Sequence, residues 1–315
     1  MTGRPRLSDE ADFVELVKSK GIAGTAKALG ITTGSVYERR ERIEKRTGQS
    51  IPVPDWRTTR TGTVFPGRTE LTIENGIVII GSDAHFWPGI VSPAFRAFVK
   101  LCKELKPVAV IMNGDMVDGA SISRHPPIGW ESRPSVIQEI ETTQERLAEI
   151  MNAAPKARRF WPLGNHDARF ETRLATVAPE FAKVHGVHLQ DHFPDWEPCW
   201  SVAINGHTMV KHRWAGGIHA VYNNVLRGGW NIFTSHRHSP EVRAYTDLNG
   251  TRWGTDTGTM ADPWGPQFEY QEDNPRNHRS GFAIAEFHKQ RLLMPQLCLV
   301  LDEDHVEFER KVIRV

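Results

Sequence analysis

The residues best suited to chemistry fall into five short clusters built from Asp, Asn and His. In chain order they are Asp83-Ala84-His85, Gly114-Asp115-Met116-Val117-Asp118, Gly164-Asn165-His166-Asp167, a single His212, and His236-Arg237-His238. Carboxylate and amide oxygens mixed with imidazole nitrogens suit Mn²⁺, Fe or Zn²⁺ rather than an oxygen-only Mg²⁺ cage. The chain has 14 histidines but only three cysteines, Cys102, Cys199 and Cys298, and no C-x-x-C pair. Neither a thiolate zinc site nor a disulfide framework is indicated. A lone D-x-H arises by chance in roughly a third of chains this long, whereas G-N-H-D is expected in about one in a thousand. Five clusters in order therefore point to a metal site rather than to scattered surface histidines.

The elements that must position these clusters are legible as apolar runs. Ile77-Val78-Ile79-Ile80 reads as a buried strand, Pro93 to Leu105 as a helix, and Val108 to Met112 as a second buried strand. Pro134 to Met151 is a long amphipathic helix, followed by a strand near Arg159 to Trp161. Later runs at His207–Lys211 and Trp230–Thr234 complete the set, so that every cluster follows a strand, where open α/β sheets place their sites. Asn205-Gly206 and Asn249-Gly250 are hairpin turns, and the runs Phe282 to Phe287 and Leu297 to Phe308 alternate like strands.

The order D-x-H, G-D-x-x-D, G-N-H-D, H, H-x-H resembles the signature of calcineurin-like metallophosphoesterases, over residues 77 to about 262. The resemblance implies an α/β fold, a β-sandwich flanked by helices. By position it also implies that Asp83, His85 and His238 hold one metal, that Asn165, His212 and His236 hold the other, and that Asp115 bridges both. The implied cofactor is a pair of divalent ions, Mn²⁺ first, with Fe or Zn²⁺ as alternatives. Two such ions about 3.5–4 Å apart activate a water for attack on phosphorus. His166 would then protonate the leaving oxygen, with Asp167 beside it to orient or polarise it, and Asp118 would hold a ligand's ring or its loop. Arg169 is the first choice for gripping the substrate phosphate, with Arg124, Arg213 and Arg237 also near the clusters. The family usually has Gly before the final H-x-H, where this chain has Ser235, and His207 and His219 are rivals to the lone His212.

Residues 1–50 carry 10 Lys+Arg against 7 Asp+Glu, which leaves 29 against 31 for the rest. Ser8 can cap a first helix that stops at Gly21, a second runs from Ile22 to Leu29, and a third from Thr32 or Thr33 to Gly48. Ala26, Gly30 and Val36 have helix-turn-helix spacing, and with Gly3-Arg4-Pro5-Arg6 in front the segment resembles the DNA-binding domain of serine invertases such as Hin. That likeness implies that Thr33, Ser35, Tyr37, Arg39 and Arg40 face DNA, with Arg4 and Arg6 in the minor groove. Glu38 with Arg42 and Glu41 with Lys45 are i,i+4 pairs of a solvated helix, so docking or dimerisation stays open as the module's role.

The expected organisation is a small all-α module at 1–50, a Pro- and Thr-rich linker at 51–70, and the metallophosphoesterase domain at 71–315. Hydrophobic residues make up 39% and charged residues 24%, ordinary for a soluble globular protein, and the net charge of +1 decides nothing about partners. No stretch approaches the length of a membrane span and the N-terminus has no apolar signal core, so a cytoplasmic protein without a membrane partner is expected. Trp87, Trp130, Trp214 and Trp264 lie near the clusters and read either as core or as platforms for a nucleobase. The expected function is that of a DNA-directed phosphodiesterase, a nuclease, with DNA as its partner. The alternative is a phosphomonoesterase acting on phosphoprotein or nucleotide, its N-terminal module used for docking or for a homo-oligomer.

Overall fold

The computed structural model describes residues 9–52, 67–126, 129, 131–182 and 184–315, which fall into two compact units, 9–52 and 67–315. In the first unit α1 (Glu10–Leu29) starts at Asp9, whose carboxylate accepts the Glu10 N–H, while Ser8, the expected cap, lies outside the described residues. Gly21 breaks α1 at φ 66°, ψ −177°, so the expected stop is there as a sharp kink between two helical segments. Gly30 turns the chain in the left-handed conformation and donates to the Ala26 carbonyl. The next helix, α2 (Thr33–Thr47), is capped by Thr32 Oγ1, which accepts the Ser35 N–H at 3.1 Å. Phe13, Val17, Ala26, Val36, Ile43 and Ile51 close the core of this unit.

Two sheets built from the described residues make up the larger unit. One sets Thr69–Leu71, Val202–Ile204, Thr208–Val210, Asn231–Thr234, Gly250–Asp256 and Glu241–Asp247 side by side. The other runs Lys311–Arg314, His305–Phe308, Gln296–Val300, Gly281–His288, Gly76–Gly81, Ala109–Met112, Arg158–Pro162 and Glu197–Cys199, with Arg291–Leu292 paired to Gly281–His288. The run expected as one strand from Leu297 to Phe308 is broken by a turn at 301–304, because Asp302 and Asp304 favour a tight turn over a ladder. The ends of the expected linker are also folded: Ile51 is buried in the first unit's core and Thr69 already pairs with Val202.

The unbroken apolar run Ile77–Ile80 has two faces to satisfy. Val78 and Ile80 pack between the sheets with Ile111, Phe160, Val210 and Phe233. Ile77 and Ile79 point the other way, with Val110 and Met112, onto α3 (Pro93–Leu105) and α4 (Val136–Ala153). A strand covered on both faces reads as continuous hydrophobic sequence, which this one does. The further helices α5 (Asp167–Val177) and α6 (Ala220–Gly228) follow the third cluster and His212 respectively. Gly76–Gly81, Ala109–Met112 and Arg158–Pro162 are parallel neighbours, so their carboxyl ends, and the first three clusters, emerge along one edge.

Candidate metal centre

Each cluster begins where its strand stops, and the loops are zipped together by backbone bonds. Asp83 N–H donates to Gly114 O at 2.9 Å, His85 N–H to Asp115 O at 3.0 Å and Phe86 N–H to Met116 O at 2.9 Å. Asp83, His85, Asp115, His236 and His238 all have positive φ, between 39° and 71°. Left-handed backbone at a non-glycine residue costs on the order of 1–3 kcal/mol and is held only where the surroundings impose it. Two glycines make the approach feasible. A Cβ on Gly164 would lie 2.0 Å from Asp115 Oδ1, and one on Gly114 would lie 2.5 Å from His212 Nδ1.

These loops gather the ring and carboxylate atoms into adjoining groups. Asp83, His85 and His238 form one, and Asp115, His212 and His236 another, with the donor atoms of each group within 4.8 Å of one another. Asn165 joins the second, its Oδ1 3.3 Å from His212 Nε2, while Asp115 Oδ2 lies 3.2 Å from the same nitrogen. All seven residues expected as ligands therefore meet in one place. The rival His207 does not: its ring sits at the opposite end of its strand, near Gln290 O at 2.8 Å.

Tautomers follow from the partners, because a carboxylate or a carbonyl only accepts. His212 Nδ1–H donates to Asn113 O at 2.8 Å, which leaves Nε2 to face the oxygens of Asp115 and Asn165. His85 Nδ1–H donates to Asp118 Oδ1 at 2.9 Å, and its Nε2 is buried without a partner, as is His238 Nδ1. Carboxylate and amide oxygens gathered around imidazole nitrogens, beside orphaned buried nitrogens, make an arrangement that a cation completes. The residues present fit divalent metal ions.

A family model described as calcineurin-like phosphoesterase matches residues 78–275, more than half of the chain. The chain belongs to that family. Among solved structures this phosphoesterase is similar to Vps29 from Entamoeba histolytica, complexed with Zn²⁺, at 14% identity and a TM-score of 0.39 over 76% of this chain and 98% of that one. It is also similar to Yfce, a phosphoesterase from E. coli, at 15% identity and a TM-score of 0.36 over 75% and 96%. A protein serine/threonine phosphatase from Saccharomyces cerevisiae follows at 13% and 0.36 over 76% and 85%. No curated protein matches the sequence.

The electrostatics of the phosphoesterase follow from burying acids among imidazoles. Burial pushes the Asp83 carboxyl up, but His238 and His212 outweigh it and hold it below the usual carboxylate range. Asp115 is likewise held well below that range, against burial, chiefly by His212 and His166. Burial disfavours a charged His212, yet Asp115 and Asp83 overcome that and push it up to about 10. The same surroundings that draw a proton there favour a metal ion, which carries more charge.

Asp167 departs from the expectation. Its carboxylate accepts from Asp115 N–H and Gly164 N–H, both at 2.8 Å, from Trp161 Nε1–H at 3.0 Å and from Met116 N–H at 3.1 Å. The bonds from Asp115 and Met116 tie this loop to the neighbouring one, those from Gly164 and Trp161 fix it to its own strand end, and none reaches the His166 ring. The orienting partner of His166 is Asp118: His166 Nδ1 lies 2.9 Å from its carbonyl and 3.0 Å from Oδ1. Arg169 Nη2–H donates to His166 Nε2 at 3.0 Å, and Nη1–H to Asp118 O at 3.0 Å.

Sequence reading missed several supports. Ser235, in place of the family's usual Gly, donates its hydroxyl toward Asn113 O and accepts Asn113 Nδ2–H at 3.2 Å, bracing His212. Gln267 Nε2–H donates to His85 O at 3.0 Å, and Phe268 meets the His85 and His238 rings edge-on at 5.5 and 5.3 Å. Glu139, fully buried on α4, accepts the N–H groups of Gly119 and Ala120 and so fixes the loop carrying Asp118. Only position in space reveals these roles.

In the first unit Tyr37 is exposed, as are Thr33 and Ser35. Arg39 and Arg40 do not project outward as expected. The Arg39 guanidinium lies 4.3 Å from the Phe13 ring centroid, and Arg40 pairs with Glu44 at 3.0 Å. Covering an aromatic ring and holding a carboxylate that also accepts the Ile51 N–H commits both to the module's own packing. Arg4, Arg6 and Trp130 lie outside the described residues.

Proposed function

We propose that this phosphoesterase is a two-metal phosphodiesterase acting on DNA. The observation that carries the reading is the two adjoining donor groups, joined where His236 N–H donates to Asp83 Oδ2 at 3.0 Å, with His166 N–H donating to Asp115 Oδ1 at 2.8 Å. In this reading Asp83, His85 and His238 hold one ion, Asn165, His212 and His236 the other, and Asp115 both. The ions, with Mn²⁺ proposed first, supply Lewis acidity and an activated water when bound. The chain's own residues do the rest. Asp118 fixes the His85 and His166 rings. His166, when protonated at Nε2, delivers that proton to the leaving oxygen. Arg169 swings from His166 Nε2 to a phosphoryl oxygen, which frees the nitrogen and neutralises charge in one movement.

DNA as substrate is supported by the first unit, where a glycine turn at Gly30 joins two packed helices and leaves Thr33, Ser35 and Tyr37 exposed at the start of α2. Contact at that end, rather than through Arg39 and Arg40, is the reading these placements favour. The test has two parts. Elemental analysis of active protein should find about two transition ions per chain, and Asp115→Ala should lose both. Metal-loaded protein should hydrolyse a small aryl diester faster than the matching monoester. A single ion in active protein sinks the two-metal reading, and a preference for the monoester replaces the diesterase with a phosphomonoesterase.

A further inference from the structure

The metal centre does not use a group of cations and indole rings that flanks His212. Lys211 and Arg213 stand on either side of it in the chain, and Arg68 precedes the strand Thr69–Leu71 in the same sheet. Thr69 pairs with Val202 and Val202 with Val210, so Arg68 and Lys211 stand at the same end of the sheet. Among the described residues none of the three pairs with a carboxylate. Two of them face aromatic rings: Lys211 Nζ lies 5.0 Å from the Trp214 ring centroid and Arg68 Cζ 5.7 Å from that of Trp230. Trp214 leaves 44% of its surface exposed.

Cations gathered at one end of a sheet without carboxylate partners favour an anionic ligand. Indoles beside them add flat apolar faces that a bare phosphate does not need. Phosphates at intervals with flat π-faces between them describe a polynucleotide strand. A duplex buries its base faces in its own stack, so the fit is to a single strand. We propose that Arg68, Lys211, Arg213, Trp214 and Trp230 form a track for single-stranded polynucleotide leading from the metal centre. The proposal rests on the phosphodiesterase reading, because it places the scissile phosphate at the metal centre and its neighbours on the track. Arg68 and Arg213 grip phosphates, and Trp214 stacks on a base.

The test uses the metal-loaded full chain and a fluorescein-labelled 12-nucleotide thymidine strand with phosphorothioate links that resist cleavage, read by anisotropy. The double variant Arg68→Glu/Arg213→Glu should weaken binding by about 10-fold or more and flatten its salt dependence. Trp214→Ala should weaken it by about 5-fold or more. Lys103→Glu, on α3 at the other sheet, should change neither. Circular dichroism and thermal melts of all three variants should match the parent, which shows that they are folded. If the double variant and Trp214→Ala bind the strand as tightly as the parent, the track is wrong. An acidic peptide of equal charge that displaces the strand equally well, with Trp214→Ala without effect, overturns it too. If binding depends on these residues but the parent cannot cleave the small diester, the phosphodiesterase reading falls and the track stands.

Discussion

Asp118 touches two imidazoles with one carboxylate, and its removal should be felt in two different measurements. His85 loses the acceptor that fixes its tautomer, so Asp118→Ala should weaken metal binding by about 10–100-fold in a metal titration. His166 loses a carboxylate that favours its charged form. Burial disfavours that form, but Asp115 and Asp118 outweigh it and raise the His166 pKa. An acid catalyst must be protonated, so activity should fall as pH rises through that pKa. Asp118→Asn should move the fall to lower pH, and Arg169→Ala, which removes an opposing positive charge, to higher pH. His166→Gln should keep its metal yet slow esters with poor leaving groups by about 10²-fold, and activated aryl esters less. Equal losses on both esters would take the acid role from His166.

At the scale of the element, α4 reaches the centre through Glu139. Burial raises its pKa to about 7, despite the Gly119 and Ala120 N–H groups that favour the carboxylate. The ordinary value is 4.5, so the folded state holds the proton more tightly than the unfolded chain. Its contribution to stability is fully present below about 4.5 and is lost as pH rises through about 7. Thermal melts of the parent should therefore drop between pH 5 and pH 8 more than those of Glu139→Gln. Identical slopes would show that Glu139 titrates normally. The loop elements are less forgiving. Gly164→Ala would drive a methyl into Asp115 Oδ1, so loss of metal binding in a folded protein is expected, checked by elemental analysis beside circular dichroism.

For the whole molecule, two units divide the work in this reading. Removing residues 1–52 should raise the KM for duplex DNA while leaving turnover of a small diester intact, since every proposed ligand lies beyond residue 82. The loss should shrink as salt rises, because phosphate contacts release counterions. Tyr37→Ala should reproduce part of it. Arg39→Ala should instead lower the melting temperature of the first unit, because it uncovers Phe13. A truncated chain that cuts duplex DNA as well as the full one at every salt concentration would return the first unit to docking or dimerisation.

How much of this was legible in the sequence depends on what each feature needs. The helix Pro93–Leu105 was readable to the residue because Ser92 caps it and its apolar face repeats at helical spacing. The hairpins at Asn205-Gly206 and Asn249-Gly250 needed only a local turn, and both pair the strands expected. The ligand types and their places after strands were likewise local, since parallel strands send their ends to one edge. Asp167 was misjudged because adjacency in sequence suggested adjacency in space. Its residue starts α5, and the carboxylate turns back under the loops while the His166 ring faces Asp118. For Arg39 and Arg40 helical position gives a direction but not the ring and carboxylate waiting there. Ser235, Gln267, Glu139 and the Arg68–Lys211–Arg213 group have no sequence signal, as their partners lie far along the chain. Short-range chemistry was written in the order of the residues; which charges meet, and which lone pairs are left facing one another, was decided only when the sheets brought distant loops within hydrogen-bonding reach.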